Sequence, residues 1–278
     1  MADTFPTSVP VVDDRPLHLL QMRPDMRRLA VWAQRNGIDG RRDGDLGYAL
    51  HALLTACFGE GAPHPFRLLE PPRGRFADPL VLGYADRDAA TLRAEAQIFA
   101  DAEAWAAMGL DRDDGLQSKR MPDRWQVGTR LQVDARVRPI LRTRSAPAGV
   151  APKQTERGTF ERDIYLMALE AAPDAEKSAI DRAAVYSKWF AAQLRDGGLE
   201  PLEADGPTGG SDIAMTGFQR TRVGRRDASR RLRRVEGPDA LMRAVVRVQD
   251  PAAFTALLRR GIGRHRAFGF GMVLLSRP

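Results

Sequence analysis

DPAAFTALLRRGIGRHRAFGFGMVLL, residues 250–275, places a helix, a glycine-rich loop and a strand in direct succession. Pro251 stands at a helix start, and Phe254, Leu257 and Leu258 follow at the i, i+3, i+4 spacing of a buried helix face. The apolar run FGMVLL after the loop is typical of a strand. A helix followed by a strand is how a βαββαβ unit ends, so this stretch indicates the fold class.

The same order of elements is expected twice along the chain. In the first half, PLHLLQMR, PFRLLE, PLVLGYA and VGTRLQVDARVRPIL read as strands, with helices at 46–58 and 88–108. The segment 111–124 is polar and unpatterned, and we expect it to be a surface loop.

The second half begins with RDIYLMALE as an expected strand, followed by a helix over 177–195 that ends at two glycines. GFQRTRVGRR and LMRAVVRVQ then form an expected hairpin before the Pro251 helix and the last strand. We therefore predict an α+β fold of two tandem ferredoxin-like domains. The predicted divisions are an N-terminal extension (1–15), a first domain (16–144), a linker (145–159) and a second domain (160–278).

The loop at 261–271 holds four glycines around Arg264, His265 and Arg266. It is not a dinucleotide fingerprint, because that motif lies between a strand and the helix that follows it. A helix C-cap with a tight turn would explain one or two of the glycines. Four glycines among basic side chains favour a loop whose backbone closely approaches an anionic ligand.

The charge of the chain is large and local. Its 278 residues carry a formal net charge of +7, with an isoelectric point near 10.1. From Phe218 to Pro278, fifteen Lys and Arg stand against four Asp and Glu, a net +11. This concentration favours a polyanionic partner.

The remaining composition excludes several classes of protein. The single cysteine, Cys57, excludes an internal disulfide and a zinc site built on several cysteines. The four histidines are scattered, so we predict neither a metal nor a cofactor. The polar, proline-broken N-terminus and the lack of a long apolar run predict a cytoplasmic protein without membrane contact.

RTRVGRRDASRRLRR, residues 220–234, contains eight arginines and one acid. Such a run can be a solvated face. However, all its cations are arginines, whose guanidinium groups bind phosphate through two hydrogen bonds and can contact guanine edges. An inserted arginine hairpin suits the end of an RNA stem. The candidate RNA-binding residues are Arg220, Arg222, Arg225, Arg226, Arg230, Arg231, Arg233 and Arg234.

The helix predicted at 46–58 has two distinct sides. On a wheel of 100° per residue, four apolar residues lie within about 80° of Leu46 and form a core stripe: Leu50, Leu53, Leu54 and Cys57. Tyr48 and His51, three residues apart, face the other side together. Because histidine exchanges protons near neutral pH, the pair is a candidate acid–base site, although a lone histidine can also be an ordinary surface residue.

Together these motifs resemble the RAMP proteins of CRISPR systems, in particular the CasE-type repeat-processing endoribonucleases of type I-E. GIGRHRAFGFGMVLL is similar to the family's glycine-rich loop, DLGYALHALLTACFG with PFRL to its catalytic helix, and WQVGTRLQVDARVRPILRTR to its central strand and basic turn. RAAVYSKWFAAQL and FQRTRVGRR resemble its second-domain helix and hairpin. The resemblance begins near Leu17 and covers nearly the whole chain, although relatives often carry a lysine within the loop.

The resemblance implies metal-independent cleavage of precursor CRISPR RNA on the 3′ side of the repeat stem-loop. The 2′-hydroxyl would attack the phosphate and leave a 2′,3′-cyclic phosphate and a 5′-hydroxyl. His51 would act as general acid/base, and Tyr48 would orient the nucleophile or the scissile phosphate. Further RNA contacts are expected at Arg138, Arg142, Arg144, Gly261, Gly263, Arg264, His265, Arg266, Gly269 and Gly271.

The implied partners are the repeat stem-loop, the mature crRNA and the other subunits of a type I-E Cascade-like surveillance complex. Two other hypotheses remain open. The chain could be a non-cleaving RNA-binding subunit of the same superfamily, or a double ferredoxin-like protein that binds another structured RNA.

Overall fold

The computed structural model describes residues 15–38, 46–70, 79–144, 160–203, 212–226 and 232–278, with side chains of 223–226 and 232–235 left aside. The strands are β1 (His18–Met22), β2 (Phe66–Leu69), β3 (Leu80–Ala85), β4 (Leu116–Arg120), β5 (Arg130–Val137), β6 (Ile140–Thr143), β7 (Phe160–Asp163), β8 (Leu199–Pro201), β9 (Ile213–Arg226), β10 (Leu232–Val248) and β11 (Val273–Ser276). The helices are α1 (Met26–Arg35), α2 (Gly47–Phe58), α3 (Ala89–Phe99), α4 (Ala102–Met108), α5 (Ile164–Ala171), α6 (Arg182–Asp196) and α7 (Pro251–Arg260).

The first sheet is antiparallel, with the strand order β2-β3-β1-β4. All four helices of this half share one core with the sheet, which contains Leu20 of β1 and one residue from each helix: Leu29, Leu50, Leu92 and Ala104. β1 lies between β3 and β4, so β1 and β2 are not adjacent although they are consecutive in the chain. This is the strand order of a ferredoxin-like unit.

The second sheet has the order β11-β5-β10-β8, and β9 forms a long hairpin with β10. Its core joins Val133 of β5 and Val246 of β10 to Phe190 of α6 and Leu257 of α7. β5 and β10 are the two inner strands, the positions that β1 and β3 occupy in the first sheet. The predicted α+β fold of two ferredoxin-like units is confirmed.

The segment VGTRLQVDARVRPIL, which we expected to supply the last strand of the first sheet, contains β5, and β5 belongs to the second sheet. β5 pairs with β10 on one side and β11 on the other, and Val133, Ala135 and Val137 are buried. The first sheet is completed by β4, within the segment that we expected to be a loop. β4 escapes detection because it is an edge strand with a single buried residue, Leu116, and four exposed polar ones.

Two further expectations are wrong because aspartates cap helices at unexpected places. RDIYLMALE is mostly helix α5, and the Asp163 carboxylate accepts a hydrogen bond from the Tyr165 amide, 2.9 Å away. The expected helix over 88–108 is two helices, because Asp101 caps α4 by accepting from the Ala104 amide at 2.6 Å. The sequence analysis also missed α1, which Asp25 caps.

The predicted linker 145–159 lies outside the described residues, as does nearly all of the predicted N-terminal extension. The domain boundaries therefore remain a prediction, apart from the corrected assignment of β5. In the described parts of the chain, no helix is long and apolar enough to cross a membrane.

The two sheets are joined by a buried hydrogen bond. The hydroxyl of Tyr84, on β3, donates to the backbone oxygen of Val273, on β11, at 2.9 Å. Tyr84 is only 1% exposed, and burial raises the pKa of its hydroxyl above the usual range. The group therefore remains a neutral donor over the physiological pH range, and it fixes the first sheet against the last strand.

Replacing Tyr84 by Phe should lower the free energy of unfolding by about 1–2 kcal/mol, because a buried carbonyl loses its hydrogen bond. Urea unfolding followed by circular dichroism measures the change. Tyr165→Phe is the matched control, because its hydroxyl has no hydrogen-bond partner among the described residues. An equal loss in both variants would contradict the importance of this bond.

Candidate functional site

Helix α2 buries the apolar face that its sequence pattern predicts, and it carries Tyr48 and His51 beside that face. Leu50, Leu53, Leu54 and Cys57 are at most 1% exposed and fix the rotation of the helix against the first core. Tyr48 and His51 are half-buried, and Tyr48 also packs against the first core. Burial raises the pKa of the Cys57 thiol to about 12, so this thiol is not a nucleophile at neutral pH.

The glycine-rich loop, residues 261–271, closes through two facing glycines at its ends. The amide of Ile262 donates to the backbone oxygen of Gly271 at 2.8 Å. Both glycines have positive φ angles, 73° for Gly261 and 78° for Gly271. A Cβ on Gly271 would lie 2.3 Å from the Ile262 oxygen, and one on Gly261 would lie 2.8 Å from the Gly271 oxygen. Any side chain at either position would force this closure open.

The same closure uses backbone donors that we expected to be available for phosphate. The amide of Gly261 donates to Leu257 and that of Gly271 donates to Arg136, both at 2.7 Å. These two glycines are therefore required for packing within the loop. Gly263, beside the Trp189 ring, and Gly269, beside Phe66, have no such bond in the described part of the chain, and their contact with RNA remains a prediction.

Two of the three basic residues of the loop, Arg264 and His265, contact Glu161 of β7, whereas the guanidinium of Arg266 donates to the backbone oxygen of Arg260. The Glu161 carboxylate lies 2.8 Å from the His265 ring nitrogen and 3.2 Å from Arg264, and Arg142 approaches to 3.6 Å. Burial acts to raise the pKa of Glu161, but the hydrogen bonds and charges of His265 and Arg264 dominate and lower it to about 2. The sequence analysis missed Glu161, since no local signal relates it to a loop about a hundred residues away.

Phe268 brings the loop and helix α2 together. Its ring centroid lies 6.1 Å from the rings of both Tyr48 and His51, and 5.9 Å from that of His265. Burial lowers the pKa of His51. The pKa of His64, in the segment before β2, is lowered by desolvation and then by the charges of Arg266 and His51, which places these groups in one neighbourhood.

The predicted RNA-binding arginines outside the glycine-rich loop differ in their exposure and in their partners. Arg138 is 1% exposed and its guanidinium donates to Thr221 at 2.7 Å and 2.9 Å, which favours a structural role. Arg220 and Arg222 are exposed, and each lies 3.0 Å from the Glu236 carboxylate. Arg144 is exposed at the end of β6.

Four more of these arginines lie on the two paired strands of the hairpin, where Arg226 pairs with Leu232 in the backbone register. Arg225 and Arg226 lie on β9, and Arg233 and Arg234 lie on β10. Arg230 and Arg231 are outside the described residues. In the portions of the chain that the structure describes, no group of three or more His, Cys, Asp or Glu side chains is arranged to hold a metal ion.

Comparison with known proteins identifies the family. The family model described as CRISPR associated protein matches residues 17–277, and the chain belongs to this family. No curated protein matches the chain.

Solved structures share the fold at low sequence identity. CRISPR endoribonuclease Cse3 bound to a 19-nucleotide RNA is 22% identical, with a TM-score of 0.56, over 95% of this chain and 100% of that one. Thermus thermophilus Cse3, bound to an RNA representing a pre-cleavage complex, is 18% identical, with a TM-score of 0.52, over 94% and 99%. A chain of a CRISPR RNA-guided surveillance complex, pre-nicking, is 17% identical, with a TM-score of 0.51, over 94% and 100%.

Replacing Glu161 by Gln should destabilise the protein by up to about 3 kcal/mol at neutral pH, as expected for a carboxyl whose folded pKa is lowered from 4.5 to about 2. This stabilisation is complete above pH 4.5 and is lost as the pH falls through the folded pKa. Urea unfolding of both proteins from pH 3 to pH 7 should show a constant difference at the upper end and a smaller one below pH 4.5. A difference independent of pH would contradict the role of this charge.

Proposed function

We propose that this chain is an endoribonuclease that processes precursor CRISPR RNA. It would cleave on the 3′ side of the repeat stem-loop without a metal ion and then remain on the product as a subunit of a crRNA surveillance complex. Membership of the CRISPR-associated family supports the biological setting. Cse3, which shares the fold, is described as an endoribonuclease and has been solved with RNA.

The observation that carries the proposal is the half-buried pair Tyr48 and His51, which faces the glycine-rich loop across the Phe268 ring. Burial favours the neutral imidazole of His51, which can accept a proton at neutral pH. Tyr48 supplies a hydroxyl beside it on the same helix face. Arg266 adds a positive charge in the same neighbourhood.

These groups suit the attack of a 2′-hydroxyl on the adjacent phosphate. His51 removes the proton from the 2′-oxygen, which forms a bond to phosphorus while the bond from phosphorus to the 5′-oxygen breaks. The leaving 5′-oxygen takes a proton from water, so the products are a 2′,3′-cyclic phosphate and a 5′-hydroxyl. Tyr48 orients the nucleophile or the phosphate, and the Arg266 charge stabilises the additional negative charge of the transition state.

Binding of the stem is assigned to the arginine hairpin, residues 220–234. Its two strands are long and paired, and Arg225, Arg226, Arg233 and Arg234 lie on them. At the base of the hairpin, Arg220 and Arg222 are held by Glu236, which orders their guanidinium groups. An ordered arginine loses less conformational freedom when it binds phosphate.

The decisive experiment is cleavage of a repeat hairpin RNA in excess EDTA, with a matched RNA that has a 2′-deoxynucleotide before the scissile phosphate. We expect the first RNA to be cut to a cyclic phosphate and the second to remain intact. Binding without cleavage would support a non-cleaving RNA-binding subunit instead. Cleavage that requires added Mg²⁺ would overturn the proposed mechanism.

Replacing His51 by Ala should lower the single-turnover rate by roughly 10²–10⁴, as expected on removal of one general acid/base, while hairpin binding is retained. His18→Ala is the matched control, because it removes a histidine from β1, on another element of the first half. Near wild-type cleavage by the His51 variant would show that this assignment is wrong.

Replacing Arg225, Arg226, Arg230 and Arg231 together by Gln should weaken hairpin binding and flatten its salt dependence. Counterion release gives a slope of roughly 0.7–0.9 per phosphate contact, so losing two or three contacts should lower it by about two. Saturating RNA should restore much of the single-turnover rate, because α2 lies in the other half.

The control variant neutralises Arg27, Arg28, Arg35 and Arg120, four exposed or half-exposed arginines of the first half. Its salt slope should remain that of the wild type. If the two variants have equal slopes, the arginine run is a solvated face and contributes no phosphate contacts.

A further inference from the structure

Phe268 occupies a central position between the two halves. It ends the short 3₁₀ turn Arg266–Phe268, and its half-buried ring contacts Tyr48, His51 and His265. The angle between its ring plane and that of His51 is 71°, an edge-on arrangement that is favourable for aromatic rings. In the described structure, Phe268 therefore lies against both residues of the candidate acid–base pair.

The backbone around Phe268 is held on both sides. His265 has a φ of 59°, a left-handed conformation that is costly for a residue other than glycine. The Glu161 carboxylate binds the ring of His265, and the amide of Phe268 donates to the backbone oxygen of His265 at 2.9 Å. On the other side, Gly269 adopts a φ of 84°, and a Cβ at this position would lie 3.5 Å from the ring of Phe66. These contacts fix the direction of the Phe268 side chain.

We propose that Phe268 is a positioning residue, whose ring fixes the orientation of Tyr48 and His51 and keeps water away from the His51 imidazole. The inference rests on the proposed function for its catalytic consequence, although its effect on His51 exists in the free protein. Its ring supplies no proton and no charge. It acts by narrowing the range of side-chain positions that Tyr48 and His51 can adopt, and by excluding solvent from one side of the imidazole.

Excluding water from the His51 imidazole should change its pKa in a direction that can be measured. Burial lowers the pKa of His51, and the titratable or charged groups nearby are Tyr48 on the same helix, His64 before β2, and His265 and Arg266 in the loop. Removing the Phe268 ring admits water, which stabilises the protonated imidazole. The pKa of His51 should therefore rise toward its ordinary value of 6.5.

The test is an NMR titration of the histidine rings in the RNA-free protein, with the His51 signal assigned by its loss in His51→Gln. We expect a midpoint below 6.5 in the wild type, a higher one in Phe268→Ala, and a near wild-type value in Phe268→Tyr, which keeps the ring. Phe99→Ala, on an exposed side chain of α3, is the control. Phe268→Leu replaces the alanine variant if that protein does not fold.

The second measurement is the pH dependence of single-turnover cleavage. In Phe268→Ala the acidic limb should move to higher pH with the His51 midpoint, and the maximal rate should fall about ten- to a hundredfold because the pair is less well oriented. A folded variant with an unmoved midpoint, or a moved midpoint with an unchanged maximal rate, overturns the inference. If the wild type cleaves no repeat RNA, the proposed function fails, while the titration still decides whether Phe268 shields His51.

Discussion

The contact between the Glu161 carboxylate and the basic side chains of the glycine-rich loop supports the rest of the candidate site. The loop contains positive-φ positions at both ends and a left-handed His265 in the middle, a conformation that is costly without compensating bonds. Glu161 supplies them through His265 and Arg264, in a setting where the carboxyl remains charged. Because the turn is fixed, Phe268 meets helix α2 at a defined place, and the Tyr48–His51 pair has a defined surrounding.

This arrangement separates two uses of positive charge. Arg264 and Arg138 are committed to internal partners, so they shape the loop and the base of the hairpin. Arg220 and Arg222 share Glu236 yet remain exposed, which leaves their guanidinium groups ordered and accessible. A net charge counted from the sequence treats these groups alike. The structure distinguishes arginines that are bonded within the protein from arginines whose guanidinium groups remain exposed to solvent.

The parts predicted from sequence are those with a strong local period. The apolar stripe of α2 correctly predicts its buried face, and the proline and apolar spacing correctly identify α7. Tyr48 and His51, expected to be exposed, are half-buried. Strand β4 was missed because LQSKR is an edge strand whose alternation has almost no apolar half. β5 was placed in the wrong sheet because the sequence of a strand does not indicate which strands it pairs with. The bond between Glu161 and His265, 104 residues apart, has no local pattern at all.

The hydrogen bond from Tyr84 to Val273 has a consequence for the order of events during synthesis. The residues of the first core lie between Leu20 and Leu116, so they leave the ribosome before the second half of the chain. The opposite wall of the proposed site, the loop with Phe268, comes from the last strand–helix–strand segment of the described chain. A nascent chain would thus expose His51 long before the loop that carries Phe268 has been synthesised. The proposed site would therefore be complete only after the final strand has docked against the first sheet.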